Sequence, residues 1–164
     1  MTRYLLTGTV TVTARSTLHD IDAHAPGLTG RLDAAVSGSE LEVAGAYLEL
    51  PAGQITGDNA LLTREIVKRL EPDRYPLIRA DITAVEPAEA GRHPVHGELD
   101  LHGVRRPVSG SAIMRARPDG TLRVDGRVLL DIRGFGLRTP GMFGVRVRSQ
   151  VDVRLRIVAT PEAP

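Results

Sequence analysis

Cysteine is absent from the 164 residues. That removes disulfides and thiolate metal ligands, and it leaves the redox compartment undecided. Aromatic residues are scarce, two phenylalanines and three tyrosines, so the basic residues have no aromatic faces beside them on which nucleic-acid bases could stack. Charge of one sign is not in excess either. The 21 basic and 20 acidic residues leave a net +1, too little for a global field that gathers nucleic acid or anionic membrane. No stretch approaches the ~18 continuous apolar residues of a membrane span. The first eight residues, Met1 to Gly8, contain no apolar run of signal-peptide length, and alternation has begun by Thr7; the expectation is a cytoplasmic protein. Lysine occurs only at Lys68, the other basic residues being arginine, a bias that a GC-rich genome produces without any functional role. The length fits one domain, residues 1–164, with a sizeable core.

What the chain has instead is period-2 alternation. From Val145 to Ile157, every second residue is apolar but for Ser149, and the residues between are Arg146, Arg148, Gln150, Asp152, Arg154 and Arg156. One face of a β-strand is therefore apolar and the other charged. A strand this long, buried on one side, needs equally long antiparallel partners, and the chain supplies them. Thr7 to Ala14 alternates; Arg15 to Gly27 reads as a polar connection ending in a Pro26-Gly27 breaker; Leu28 to Val36 alternates again. Glu40 to Leu50 changes phase at Gly45, where a β-bulge would absorb a residue. Gly57 to Leu70 shifts to helical period, with Leu62, Ile66 and Leu70 on one side and Asp58 or Asn59 as N-cap. The polar side of that helix, Arg64, Glu65, Lys68 and Arg69, reads as a solvated face.

Strands resume at Leu77 to Val85, with Ile78, Ala80, Ile82 and Ala84 on one face, and at Val95 to Leu101. Gly103 to Arg106 reads as a tight hairpin, Pro107 as the start of the returning strand and Pro118-Asp119-Gly120 as a second hairpin. Leu122 to Ile132 is another long strand. Arg133 to Phe143, rich in glycine, breaks the pattern. About eight antiparallel strands and one helix make an all-β fold, either a sandwich or a closed barrel. Small residues recur on the apolar phases (Gly8, Gly30, Ala34, Gly97, Gly110, Ala112, Gly126). They either leave a central hollow or mark bulges and bends.

Three blocks resemble a known family. Gly97-Glu98-Leu99-Asp100-Leu101-His102-Gly103-Val104-Arg105-Arg106-Pro107-Val108 is similar to the G-x-L-T-I-x-G-V-T-R-P-V signature of the YceI-like family. Asp131 to Leu137 resembles its I-N-R-x-D-F-G-I segment. The passage from Thr63-Arg64-Glu65 to Tyr75-Pro76-Leu77-Ile78 resembles its helix-to-strand junction. The blocks stand in the family's order and, with the strands between them, cover most of the chain. The resemblance implies an eight-stranded antiparallel lipocalin-like barrel with one short helix and an elongated apolar interior, in a family that binds polyisoprenoids, isoprenoid quinones or other amphipathic lipids. Members are often periplasmic or secreted and have more aromatic cavities. His102 and Arg105 replace commoner hairpin residues.

His19 and His24, with Asp20 and Asp22, have the composition of a transition-metal site but no tight ligand spacing, so no metal is expected. His93, His96 and His102 read as lying outside the barrel. A G-x-S-x-G elbow and a phosphate-cradling glycine loop are both absent. The arginines Arg146, Arg148, Arg154 and Arg156 are expected to pair across strands with Asp125, Asp131, Glu98 and Asp100, rather than to bind nucleic acid. Arg133 to Phe143 is read in two ways: as a lid that sets an arginine near a polar head, or as a loop whose apolar residues plug one end.

The resulting expectation is binding, sequestration or transport of a hydrophobic or amphipathic small molecule, with no cofactor required. The cavity would be lined by Val10, Val12, Leu32, Ile82, Leu99, Leu101, Val124, Val128, Leu130, Val151 and Val153, with Arg133, Phe135 and Phe143 at the mouth. The rivals are a cyclase- or isomerase-type enzyme using Arg133, Asp131, His19 or His24, and a solid-core interaction module. A long edge strand could also pair across a two-fold axis as a homodimer.

Overall fold

Alternation in the last strand sets the architecture. In the structure, a computed structural model that describes residues 1–38, 40–139 and 145–163, this strand is β9, Val147–Pro161. Its inward residues Val151, Ile157 and Ala159 are buried, while Arg154 and Arg156 face solvent. The preceding elements are β1 (Thr2–Ser16), β2 (Ile21–Ser37), β3 (Glu40–Pro51), β4 (Thr56–Gly57), α1 (Ala60–Leu70), β5 (Leu77–Val85), β6 (His93–Leu101), β7 (Val104–Ala116) and β8 (Leu122–Asp131). Neighbours run β1, β9, β8, β7, β6, β5, β3, β2, and β2 pairs back onto β1. Eight antiparallel strands thus close into a barrel, with the two-residue β4 added beside β2. Closure removes the edge strands that an open sheet of this length would expose.

The second strand begins earlier than its sequence suggests. β2 starts at Ile21 and runs through Pro26-Gly27, so only Thr17 to Asp20 connect it to β1. The pairing passes from Gly8↔Leu28 to Thr9↔Pro26 and leaves Gly27 as an extra residue with φ 87°. A bulge absorbs the supposed breaker. In β3, Ala34 pairs with Val43 and Asp33 with Gly45, so the extra residue is Ala44, next to the expected Gly45. A bulge at Thr83, between Ile82↔Gly97 and Ala84↔His96, turns Ala84 outward and brings Val85 in. The β6–β7 hairpin turns at His102-Gly103, both at positive φ (55° and 74°), one step before the expected Gly103 to Arg106. Pro107 lies inside β7, opposite Glu98. It precedes the first pair with β8 at Gly110, where a missing N–H costs no ladder bond.

Four of the small inward residues are required by close backbone approach. A Cβ on Gly97 would stand 2.4 Å from the Asp81 carbonyl oxygen, and Gly8, Gly30 and Gly110 are crowded in the same way by neighbouring backbone. These positions let strands coil tightly enough to close the ring.

One end of the barrel is filled. Tyr4, Leu6, Leu32, Ala34, Leu122 and Ala159 belong to one buried cluster there. The other end carries the β1–β2 and β6–β7 turns, the segment after β8, and α1. Asn59 caps α1, its Oδ1 accepting the Leu62 N–H at 2.8 Å. Glu71 ends the helix in the left-handed region. The Thr63 hydroxyl accepts the Gly57 N–H at 3.0 Å and so ties helix to β4. No residue of α1 is buried, because the helix lies across the barrel end rather than inside a core. Among the described residues no helix is long and apolar enough to cross a membrane.

Candidate functional site

Eight strands with apolar inner faces leave a cavity of about 380 Å³ along the barrel axis. Each strand contributes through its inward phase. Val10 and Val12 come from β1, Leu32 from β2, Ile82 from β5, Leu99 and Leu101 from β6, Val124, Val128 and Leu130 from β8, and Val151 and Val153 from β9. All eleven wall positions expected from alternation therefore meet in one hollow. Leu6, Leu48, Ile78, Val108, Met114, Leu155 and Ile157 complete it. Glu49, Arg79 and Arg127 also border the space, but they stand on outward phases and contribute backbone.

Among the described residues, charged side chains border the cavity at the end where α1 crosses. Ile66 and Leu70 supply apolar contact from the helix, and Glu65 and Arg69 flank them. These two form an ion pair one helical turn apart, their side chains 20% and 26% exposed. Arg69 Nη1 also donates to the Glu65 carbonyl at 3.3 Å. The Arg69 Nε is buried and has no hydrogen-bond partner among the described residues. The expected solvated face thus holds on one side of the helix and fails on the other. Glu65 and Arg69 lie at i, i+4, but their polarity hid their inward direction. The same rim includes the exposed His24 and Arg138, so the cavity reaches solvent at this end.

The three residues expected at the mouth do different things. Arg133 points to solvent, its guanidinium donating to both oxygens of Asp131 at 3.2 and 2.9 Å. It does not line the cavity. This bonding, with the Arg133 N–H capping the same carboxylate, holds the Asp131 pKa down at about 2. Phe135 is buried, 2% exposed, in a cluster with Leu101 and Leu137. It packs as a plug among inward residues that include Leu99, Leu130 and Ile132, and Leu137 and Arg138 take the lining positions it was expected to hold. Phe143 lies outside the described residues, as does Met142.

The remaining polar candidates are accounted for by local bonds. His24 Nε2 is 3.5 Å from Asp58, and His19 Nδ1 is 2.9 Å from the Asp20 carbonyl. Among the described residues no group of His, Asp or Glu is placed to hold a metal. His96 sits on the outer wall between Glu86 and Ser109. His102 packs edge-on against Tyr75 and meets Glu71 at 2.9 Å. The arginine stripe is paired otherwise than expected. Arg127 of β8 bonds Asp152 of β9 at 2.8 Å, Arg154 shares that carboxylate at 3.8 Å, and Arg105 bridges Asp81 and Asp100. Arg156, opposite Asp125 in register, makes no ion pair with it among the described residues; Asp125 faces Arg123 at 3.7 Å.

The sequence profile of the YceI-like domain matches residues 6–159. The chain belongs to the YceI-like family. Its fold recurs in solved YceI-like and related structures at low identity. Burkholderia cenocepacia BcnA superimposes with a TM-score of 0.79 at 14% identity, covering 93% of this chain and 96% of that one. A polyisoprenoid binding domain from Saccharophagus degradans, implicated in plant cell wall breakdown, gives 0.75 at 12% identity over 99% of each chain. The Campylobacter jejuni YCEI protein gives 0.67 at 11% identity over 87% and 85%. No curated protein sequence matches this chain.

Proposed function

We propose that this YceI-like protein binds and carries a hydrophobic or amphipathic chain, an isoprenoid, an isoprenoid quinone or a similar lipid, with its tail along the barrel axis. The observation that carries this reading is the distribution of polarity among the described residues: an apolar wall along the barrel, and charged side chains at the open end. Such a space suits a ligand with a long apolar tail and one polar head. Each isoprene unit moved from water into it contributes about 4 kcal/mol, at about 0.8 kcal/mol per buried carbon. The shared fold of the Saccharophagus polyisoprenoid binding domain supports a prenyl tail. At the head, Arg69 replaces Arg133 as the anchoring arginine, because Arg69 borders the cavity and Arg133 does not.

Binding is favoured over turnover. An enzyme acting on a lipophilic intermediate needs an acid or base with a perturbed pKa inside the hollow. The carboxyls held below their ordinary range are Asp33, Asp119, Asp131 and Asp152, and these stand on outward phases or in a turn. A solid-core module is disfavoured by the cavity itself. Native mass spectrometry of the purified chain, followed by organic extraction, tests the reading. A stoichiometric co-purifying lipid is expected; an empty protein that also ignores a fluorescent prenyl probe overturns it.

A further inference from the structure

The outer side of α1 and its surroundings are not explained by cargo binding. At 100° per residue, Glu65, Ile66, Arg69 and Leu70, which border the cavity, share one side, with Leu62 at its edge lining the neighbouring groove. Ala60, Leu61, Arg64, Val67 and Lys68 fall on the opposite arc, and all five are exposed. That arc mixes two apolar side chains, Leu61 at 46% and Val67 at 41% exposure, with two cations and no anion. Arg64 and Lys68 take part in no ion pair among the described residues, whereas the helix's only carboxylate, Glu65, is held by Arg69 on the other side.

The arc continues onto the neighbouring turn. Leu18, at the tip of the β1–β2 connection, is 74% exposed, the most exposed large apolar side chain of the protein's described residues. Leu18 and Leu61 line one groove of about 260 Å³, together with Ile21, Val145 and Val147. Arg15, Arg146 and Arg148 stand at this rim. With Arg64 and Lys68 these make five cations, against the three carboxylates of the same rim, Asp20, Asp22 and Asp58, the last 3.5 Å from His24. The near-neutral whole chain thus has a cationic, leucine-tipped end, and it is the end at which the cavity opens.

We propose that this end is a docking face for an anionic lipid bilayer. Leu18, Leu61 and Val67 enter the headgroup layer, Arg64 and Lys68 lie against lipid phosphates, and the cavity mouth faces the membrane. Interfacial helices are built in this way, apolar tips among cations. The occupant follows from the charge and from the opening. A cargo that partitions into an apolar cavity is held in a bilayer before loading, and a mouth seated on the surface spares its tail a passage through water. The inference rests on the carrier reading for its purpose, though not for its geometry.

The experiment is flotation of the full chain with vesicles of phosphatidylcholine alone and of phosphatidylcholine mixed with phosphatidylglycerol. Binding to the mixed vesicles only, weakened by added salt, is expected. The double variant Arg64→Gln/Lys68→Gln lowers that binding about 25-fold, roughly fivefold per cation, and Leu18→Ser/Leu61→Ser lowers it at least tenfold. Arg154→Gln/Arg156→Gln, which removes the same charge from the outer wall, leaves it unchanged. All the variants are exposed and retain the native circular dichroism spectrum. Equal binding to neutral vesicles, or a wild-type response from the helix variant, overturns the docking face. Native mass spectra and the prenyl probe separate the two readings. A lipid-loaded protein blind to vesicles overturns docking and leaves carriage standing; an empty protein that ignores the probe yet floats with anionic vesicles supports docking and overturns carriage.

Discussion

Ala80→Phe separates a hollow barrel from a packed one. Ala80 lies inward on β5, opposite Leu48 of β3 and Leu99 of β6, and it lines the cavity without being fully buried. The substitution adds about six carbons to the middle of the wall. If the interior is open, the ring enters space otherwise held by ligand. It displaces about one isoprene unit, a loss of roughly 4–5 kcal/mol or about three decades in affinity. The folded protein does not suffer, because the ring contacts apolar wall across a void; stability is unchanged or rises. If the interior is filled, the same ring overpacks it and costs about 1–3 kcal/mol of stability. Titration with a dansylated farnesyl probe reads the first quantity, and urea denaturation of the extracted protein the second. Unchanged probe affinity together with a loss of stability would refute the hollow and the carrier argument with it.

Three further perturbations follow from particular contacts. Arg69→Met leaves farnesol binding intact but weakens farnesyl phosphate about tenfold or more, since a hydrogen bond to a charged group contributes about 1.5–3 kcal/mol; competition against the same probe compares the two. Gly97→Ala, which sets a carbon 2.4 Å from backbone oxygen, destabilises the barrel by about 2 kcal/mol or more in urea denaturation. Asp131, at about 2 in the fold against about 3.9 in an unfolded chain, contributes stability above about pH 4 that is lost as pH falls toward 2. Carbon-detected NMR of its carboxyl should therefore titrate near 2 in the wild type and return toward 3.8 in Arg133→Gln.

Much of the wall was legible because alternation is local. Val151 and Val153 face inward for the same reason that Asp152 and Arg154 face outward: a strand's period is two, and a long strand repeats the message often. The bulges were harder. Gly45 signalled a phase change one residue from its place, but Gly27 and Thr83 gave no such signal, because a bulge is defined by the partner strand it fails to match. Pro26-Gly27 therefore read as the end of a loop, though it sits inside a seventeen-residue strand. The mouth was least legible. Arg133 and Phe135 stand in the irregular segment that could form a lid, yet one bonds to its own turn and the other packs as a plug among inward leucines.

Periodicity by itself determined that this chain would form long antiparallel strands, one short helix and an apolar inner face. The family motifs narrowed that to a closed barrel. Tertiary structure alone decided which charges meet the cavity, because helical spacing states which residues share a side and not what that side faces. Glu65 and Arg69 read as solvent-facing in the sequence, yet they border the hollow; Arg64 and Lys68, one residue away from each, do face water. The difference arises from the angle at which α1 crosses the barrel end, set by its tie to β4 and by contacts far apart in the chain.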